Sequence, residues 1–414
     1  MSSCKLSARV HEALPMQFNP DYALFDDNMF VKLRHALAGI EPAADMEAID
    51  LSIGEPQLPG GALLIDSVKQ HNKDWQFYPK AHGNPRFLSA VGNYIARRWP
   101  AAAALGSLTG QIMPVTGTRE PLAFLGNLVR NTKPDAVALV TNPFYHAWRA
   151  GALASGATIT YMDARAENNF LPALDELSSD LLDRTTIMYL CSPTNPEGSV
   201  MSMDYLKSAL NLARQHDFLL VMDECYADIW RGSAPAGMLE AAAGMPNEEG
   251  QDPLRNLVVL NSLSKRSSAA GLRAGFIIGD AGAMAQFAKL VANGGSLIPV
   301  PLLNVAADLY DDDAHVSQIR AHYDHSFAIA ARHLNIEPPQ GGFFLWLRVD
   351  DEVQFAQRLM KEQAIRAMPG SFMGFGDGAA NPGHNYVRLA LVHDHDRIEE
   401  AMRRVAAVYG NGVA

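Results

Sequence analysis

The chain has 414 residues, 48% of them hydrophobic and 19% charged, with a formal net charge of -11. That length exceeds one compact core of ordinary size and predicts two domains, interrupted rather than consecutive. The acidic balance disfavours nucleic acid or an anionic membrane as partner, and the three cysteines, Cys4, Cys191 and Cys225, lack the number and spacing for a disulfide framework or a zinc site.

From the N-terminus, residues 1–28 show no apolar core behind a basic start, and no later segment offers some 18 uninterrupted apolar residues, so the chain reads as soluble and cytoplasmic. An amphipathic helix is expected at 28–38. Residues before about 60 are expected to join a C-terminal unit, which divides the chain into 1–60, 61–300 and 301–414. A helix at 86–99 gathers Phe87, Leu88, Val91, Tyr94 and Ile95 on one face, with Asn84 as cap and Pro85 in the first turn. The alanine run at 101–104 follows Pro100 and reads as a helix-to-loop transition.

From about residue 110, short β-branched apolar runs at 136–141, 157–162, 186–191, 218–222, 257–261 and 275–279 alternate with helical stretches such as 203–215. That pattern predicts a large domain with a mostly parallel sheet flanked by helices. Asp311, Asp312 and Asp313 read as a solvated turn. Strands at 343–349 and 386–392 and a helix at 397–409 complete a smaller α+β domain. His393-Asp394-His395-Asp396 precedes that last helix, where Asp394 or Asp396 is a natural cap, and no metal is assigned to it.

Reactive residues of a parallel sheet collect at the carboxyl ends of its strands. Asn195, Asp223 and Lys265 each follow such an end. Lys265 closes the hydroxyl-rich turn Asn261-Ser262-Leu263-Ser264-Lys265, eight residues before Arg273. A lysine so placed can form a Schiff base with an aldehyde cofactor, while Ser262, Ser264 and Arg273 hold that cofactor's phosphate. The cofactor that fits is pyridoxal phosphate. Gly117, Thr118 and Arg119 open an apolar helix and offer backbone amides to the same anion. Asp223 is the candidate to keep the pyridine nitrogen protonated, and Asn195 and Tyr226 to bond the ring hydroxyl. Tyr145, in Asn142-Pro143-Phe144-Tyr145, either stacks on the ring or packs its loop. Arg388, the one charge in the run 386–391, is either edge-exposed or placed to grip a substrate carboxylate.

Taken together these residues resemble the fold-type I, class I/II aminotransferases over nearly the whole chain. The step of 28 residues from Asn195 to Asp223, the step of three to Tyr226 and the step of eight from Lys265 to Arg273 agree with that family. So does Leu51-Ser52-Ile53-Gly54-Glu55-Pro56, where the resemblance places Gly54 beside the substrate carboxylate. It also implies that Tyr78 reaches the phosphate in a partner subunit, hence a homodimer with shared active sites, and that glutamate and 2-oxoglutarate are one substrate pair. The implied catalytic residues are Lys265, Asp223 and Tyr226, with Gly54, Asn195 and Arg388 on the amino or 2-oxo acid substrate.

Within the family the wording is most similar to proteobacterial succinyl-diaminopimelate aminotransferases of lysine biosynthesis. Ala292-Asn293-Gly294 and Ala269-Ala270 depart from that subgroup. The competing expectations are an aspartate, alanine or aromatic aminotransferase, a carbon–sulfur β-lyase on the same fold, and, from a different class, a regulator that keeps the fold without turnover.

Overall fold

The computed structural model describes residues 18–26, 28–44, 46–58, 61–247 and 250–410. The reading of residues 1–17, Cys4 among them, lies outside these. The strands in chain order are β1 (Ile49–Asp50), β2 (Ile112–Val115), β3 (Val137–Asn142), β4 (Thr158–Arg165), β5 (Leu171–Pro172), β6 (Thr185–Cys191), β7 (Leu219–Asp223), β8 (Leu257–Ser262), β9 (Gly275–Gly279), β10 (Phe344–Arg348), β11 (Ile365–Arg366), β12 (Met368–Pro369) and β13 (Tyr386–Ala390).

Eight of them form one sheet in the order β2-β9-β8-β7-β6-β3-β4-β5. The inner pairs β8–β7, β7–β6, β6–β3 and β3–β4 are parallel, while β9 runs antiparallel to both its neighbours. This is the mostly parallel sheet flanked by helices that the alternating pattern predicted. Both faces are covered. Met188, Leu220 and Val259 point into one apolar core with the helices Pro85–Arg98 and Met203–Gln215, and Ile187, Val221 and Val258 point into another. Strands buried on both faces carry near-continuous apolar runs, which is why they were readable.

A third core gathers Ile49 and Leu51 with residues from 327 to 408, around the sheet β10-β13-β12. β1 pairs in parallel with β11, tying the segment that follows it to this unit. Helix starts follow their caps. Asn84 accepts the Phe87 N–H ahead of Pro85, and Asp394 accepts the Arg397 N–H ahead of the helix His395–Tyr409.

One expectation is corrected here. Asp311–Asp313 is not simply a solvated turn: Asp313 receives the Arg266 guanidinium at 2.6 Å and the Arg97 Nε at 2.9 Å, and Asp312 accepts the His315 N–H. The turn answers a buried cation that sequence spacing does not reveal.

Candidate active site

Ser262 ends β8, and its Oγ accepts the Ser264 N–H at 3.1 Å, starting the one-turn helix Leu263–Arg266. The turn carries Lys265 off the carboxyl end of the sheet. Its ammonium donates to the Gly54 carbonyl and lies 5.3 Å from the centre of the Phe343 ring. Burial, more than the nearby charges, pulls its pKa from 10.5 down to about 8. The amine is thus partly unprotonated near neutrality.

Arg388 stands in the middle strand of its sheet, opposite Trp346 of β10 and Met368 of β12, so the edge-exposed alternative is excluded. It is 3% exposed. One Nη donates to the Ser52 carbonyl at 2.7 Å and the other to Asn195 Oδ1 at 3.2 Å, while the Phe344 ring lies 4.5 Å beneath the guanidinium. Among the described residues its buried Nε has no hydrogen-bond partner. Burial lowers its pKa to about 10.

Asp223 ends β7, directly opposite Cys191, and is 2% exposed. Its Oδ1 accepts the Cys225 N–H at 3.2 Å. Burial raises its pKa, against the pull of the Cys225 hydrogen bonds, the Trp148 indole and the charge of Lys265. Trp148, which sequence reading did not single out, directs toward this carboxylate a buried Nε1 that has no partner of normal geometry among the described residues. Tyr226 is buried, with its ring 5.5 Å from Phe343 and 6.0 Å from Phe344. Phe343 and Phe344, at the start of the strand expected over 343–349, therefore floor the space between Lys265 and Arg388.

Gly117 sits just before the helix Arg119–Leu128 with φ +78, and a Cβ there would come within 2.7 Å of the Arg273 guanidinium. Arg273, itself at φ 54, donates to the Thr116 carbonyl at 3.0 Å and so lies across that turn. Ser262 and Ser264 bring their hydroxyls together at 3.0 Å. One detail differs from expectation: the Gly117 N–H is taken by the Val115 carbonyl at 2.8 Å, which leaves the Thr118 and Arg119 amides as those the turn offers. Gly54 packs flat on Phe344, where a Cβ would clash at 2.4 Å.

Tyr145 precedes the helix His146–Ala154, and its hydroxyl accepts the Arg119 Nε–H at 3.2 Å. Burial raises the Tyr145 pKa against the pull of Arg119, and the ring packs edge-on to Trp148 at 6.1 Å. Arg266, the residue after Lys265, faces away: it is 1% exposed, bonds Asp313 and the Leu309 carbonyl, and stacks on Tyr94. Tyr78 is 97% exposed and meets none of these residues. Two cavities nearby, one of about 150 Å³ lined by Phe25, Phe144 and His146 and one of about 260 Å³ beside Ser267 and His315, flank the site without containing Lys265.

A family model for class I and II aminotransferases matches residues 46–405. The chain is 29% identical to a probable aminotransferase of Mycobacterium tuberculosis over 89% of its length and 82% of that protein. It is 28% identical to an LL-diaminopimelate aminotransferase of Syntrophobacter fumaroxidans over 88% of its length and 92% of that protein. The crystal structure of an aminotransferase from Neisseria meningitidis is similar with a TM-score of 0.85 at 31% identity, covering 92% of this chain and 97% of that one.

Proposed function

The chain belongs to the class I and II aminotransferases, and from that we propose that it uses pyridoxal phosphate on Lys265 to move an amino group between glutamate and the keto acid N-succinyl-2-amino-6-oxopimelate. One observation carries the chemistry. Lys265 and Arg388, the two buried cations of the site, hang from the carbonyls of Gly54 and Ser52, two residues apart on one segment.

The residues fit the cofactor. Asp223 is a buried carboxyl whose ionisation a neighbouring cation would restore, as a protonated pyridine nitrogen does. The turn at Gly117, the paired hydroxyls of Ser262 and Ser264, and Arg273 lie within one stretch of surface suited to a phosphate. In this reading Lys265 holds the aldehyde carbon and Asp223 the ring nitrogen. Asn195 and Tyr226 hold the ring hydroxyl, and Tyr145 covers the ring face. The amides of Thr118 and Arg119, at the turn made by Gly117, hold the phosphate. When bound, the cofactor supplies an electron-withdrawing ring that stabilises the electron pair left on the substrate α-carbon.

Arg388 grips the α-carboxylate and so sets which α-carbon bond stands over the ring. Asn195, bonded to Arg388, keeps the guanidinium fork from turning. Once the donor's amine takes its place on the aldehyde carbon, the freed Lys265 amine, unprotonated in part because it is buried, would take the α-proton and return it on the other side of the exchange. Phe343 and Phe344 exclude water from beneath both groups.

The diaminopimelate substrate is supported by the wording of the Asp223 and Lys265 motifs and by the LL-diaminopimelate aminotransferase relative. Tyr78, exposed beside Trp75 and Phe77, supports a homodimer in which it reaches the partner's phosphate. No described helix is long and apolar enough to cross a membrane, and we place the enzyme in the cytoplasm. We further propose that residues up to about 60 fold with the C-terminal unit. The packing favours a second boundary later than the one expected at 300, within the helix Ala314–Leu334, because Ile319 and Tyr323 lie in a core of the large sheet and Phe327 and Leu334 in the third core.

The test is a comparison of kcat/KM for the succinylated keto acid against oxaloacetate, pyruvate and phenylpyruvate with glutamate as donor. Preference for the first by tenfold or more is expected. A tenfold preference for any small keto acid makes the enzyme a general aminotransferase, and pyruvate release from cystathionine makes it a lyase.

A further inference from the structure

Outside the site around Lys265, a second group of reactive side chains meets at one point. Ser267 closes the one-turn helix Leu263–Arg266 and lies against the junction of the helices Val300–Asp311 and Ala314–Leu334. There its hydroxyl is 2.8 Å from Nε2 of His315, and Nδ1 of the same ring is 2.6 Å from Oδ1 of Asp312. Asp312 also accepts the His315 backbone N–H at 2.9 Å. Burial pushes the Asp312 pKa up, but its two hydrogen bonds from His315 more than offset this and keep it ionised. A carboxylate only accepts, so Nδ1 carries the ring proton and Nε2 is left to accept the Ser267 hydroxyl. That hydroxyl makes no other hydrogen bond among the described residues.

We propose that Ser267, His315 and Asp312 form a second catalytic centre, which hydrolyses esters of short apolar carboxylic acids. The hydroxyl and the imidazole stand within the reach that a nucleophile and its base require, and the base is oriented in turn by a carboxylate. Ser267 and His315 both line the cavity of about 260 Å³, where Leu58, Leu63, Leu64, Leu309 and Ile319 offer an apolar wall to an acyl chain. Gln318 lines the same cavity, and its side-chain amide has no partner among the described residues. It can donate to the ester carbonyl oxygen as negative charge builds there. Lys265 is not in this lining, so the inference stands apart from the aminotransferase reading.

Each proton is accounted for. His315 Nε2 takes the Ser267 proton as Oγ bonds to the ester carbonyl carbon; the bond from that carbon to the alcohol oxygen then breaks, and the alcohol leaves with the proton. Water attacks the acyl carbon in the same way, giving one proton to His315, which returns it to Ser267 Oγ as the carboxylic acid departs. Asp312 touches no reacting atom and is a positioning residue. Burial first, then the charge of Arg266, holds the His315 pKa below its usual 6.5 against the upward pull of Asp312 and Asp313, so the ring can accept a proton at neutral pH. His322 is the other imidazole on this cavity.

The experiment follows hydrolysis of p-nitrophenyl butyrate by the full-length protein, its Ser267→Ala and Asp312→Asn variants, and labelling of the unaltered protein by a fluorophosphonate. In Ser267→Ala, kcat/KM is expected to fall on the order of a hundredfold or more, with the circular dichroism spectrum kept. Peptide mapping should place the label on Ser267. The wild-type rate should rise with pH through a midpoint below 6.5 and then level off. Asp312→Asn keeps an acceptor for the backbone N–H but loses the charge that raises the His315 pKa, so the rate should fall and the midpoint move lower, a shift that a merely structural role would not produce. Hydrolysis by Ser267→Ala within about threefold of wild type, or a label that fails to form or maps elsewhere, overturns the assignment. The label decides without any variant having to fold.

Discussion

Lys265 and Arg388 come from opposite ends of the fold, one after β8 and the other within β13, yet both donate to the short segment that follows β1, at the carbonyls of Gly54 and Ser52. That segment therefore sets the spacing between the proposed proton carrier and the proposed carboxylate grip. It belongs to the same core as β13, through Leu51, and meets the large domain through Lys265, Ser268 and the packing of Leu58. Any movement of the C-terminal unit against the sheet changes this spacing first.

The lysine can be tested directly. Its folded pKa of about 8 lies below the usual 10.5 because burial disfavours the charged form. In cofactor-free protein, the rate of labelling by pyridoxal phosphate and borohydride should rise with pH with a midpoint near 8, and peptide mapping should place the label on Lys265. Between about pH 8 and 10.5 the unfolded chain binds more protons than the folded one at this residue, so its contribution to stability rises with pH over that window. A profile still climbing at pH 10 excludes the buried amine.

Removal of Asp223 should cost activity and not structure. Asp223→Ala is expected to keep its circular dichroism spectrum and to lose on the order of a hundredfold or more in kcat, as befits loss of a charge that acts mainly in the transition state. Turnover within tenfold of wild type would reassign the ring-nitrogen role.

Gly117→Ala should loosen the phosphate end. The added Cβ meets the Arg273 guanidinium at 2.7 Å, and the left-handed backbone costs a side-chain residue about 1–2 kcal/mol. The Arg273 tip can swing aside, so the protein is expected to fold with a melting temperature a few degrees lower. Pyridoxal phosphate should bind on the order of tenfold more weakly by absorbance titration. Unchanged affinity would separate Arg273 from the phosphate.

Shared sites predict complementation. Mixing Tyr78→Ala with Lys265→Ala subunits gives hybrid dimers with one site carrying both lesions and one carrying neither. Activity of the mixture above either parent is expected, and simple dilution would show each subunit to be self-contained.

Much of this was legible because the strands are buried on both faces. β9 matches the expected run 275–279 residue for residue, and the helix Met203–Gln215 begins where Ser202 caps it. β4 runs three residues past its expected end, since Asp163 and Arg165 are held by Asn142 and by the carbonyls of Ala379 and Ala380, contacts more than 200 residues away in the last case. The site divides the same way. Lys265, Asp223 and Arg388 were visible because each charge interrupts an apolar or hydroxyl-rich run. Arg266 stood in the same kind of run and proved to be a core residue, because its partner Asp313 arrives from 47 positions downstream. Trp148, Phe343 and Phe344 gave no local sign, since aromatic residues near strand ends are ordinary core.

The position of Arg388 in β13 has one more consequence. Val387 and Leu389 on either side of it point into the third core at 0% exposure, and β10 and β12 pair with the strand on both edges. A slip of one residue would turn both into the active site and drive the guanidinium into hydrocarbon. The apolar packing of that sheet thus works as a gauge block: substitutions there, remote from any substrate, should be felt as altered reading of the α-carboxylate long before the protein unfolds.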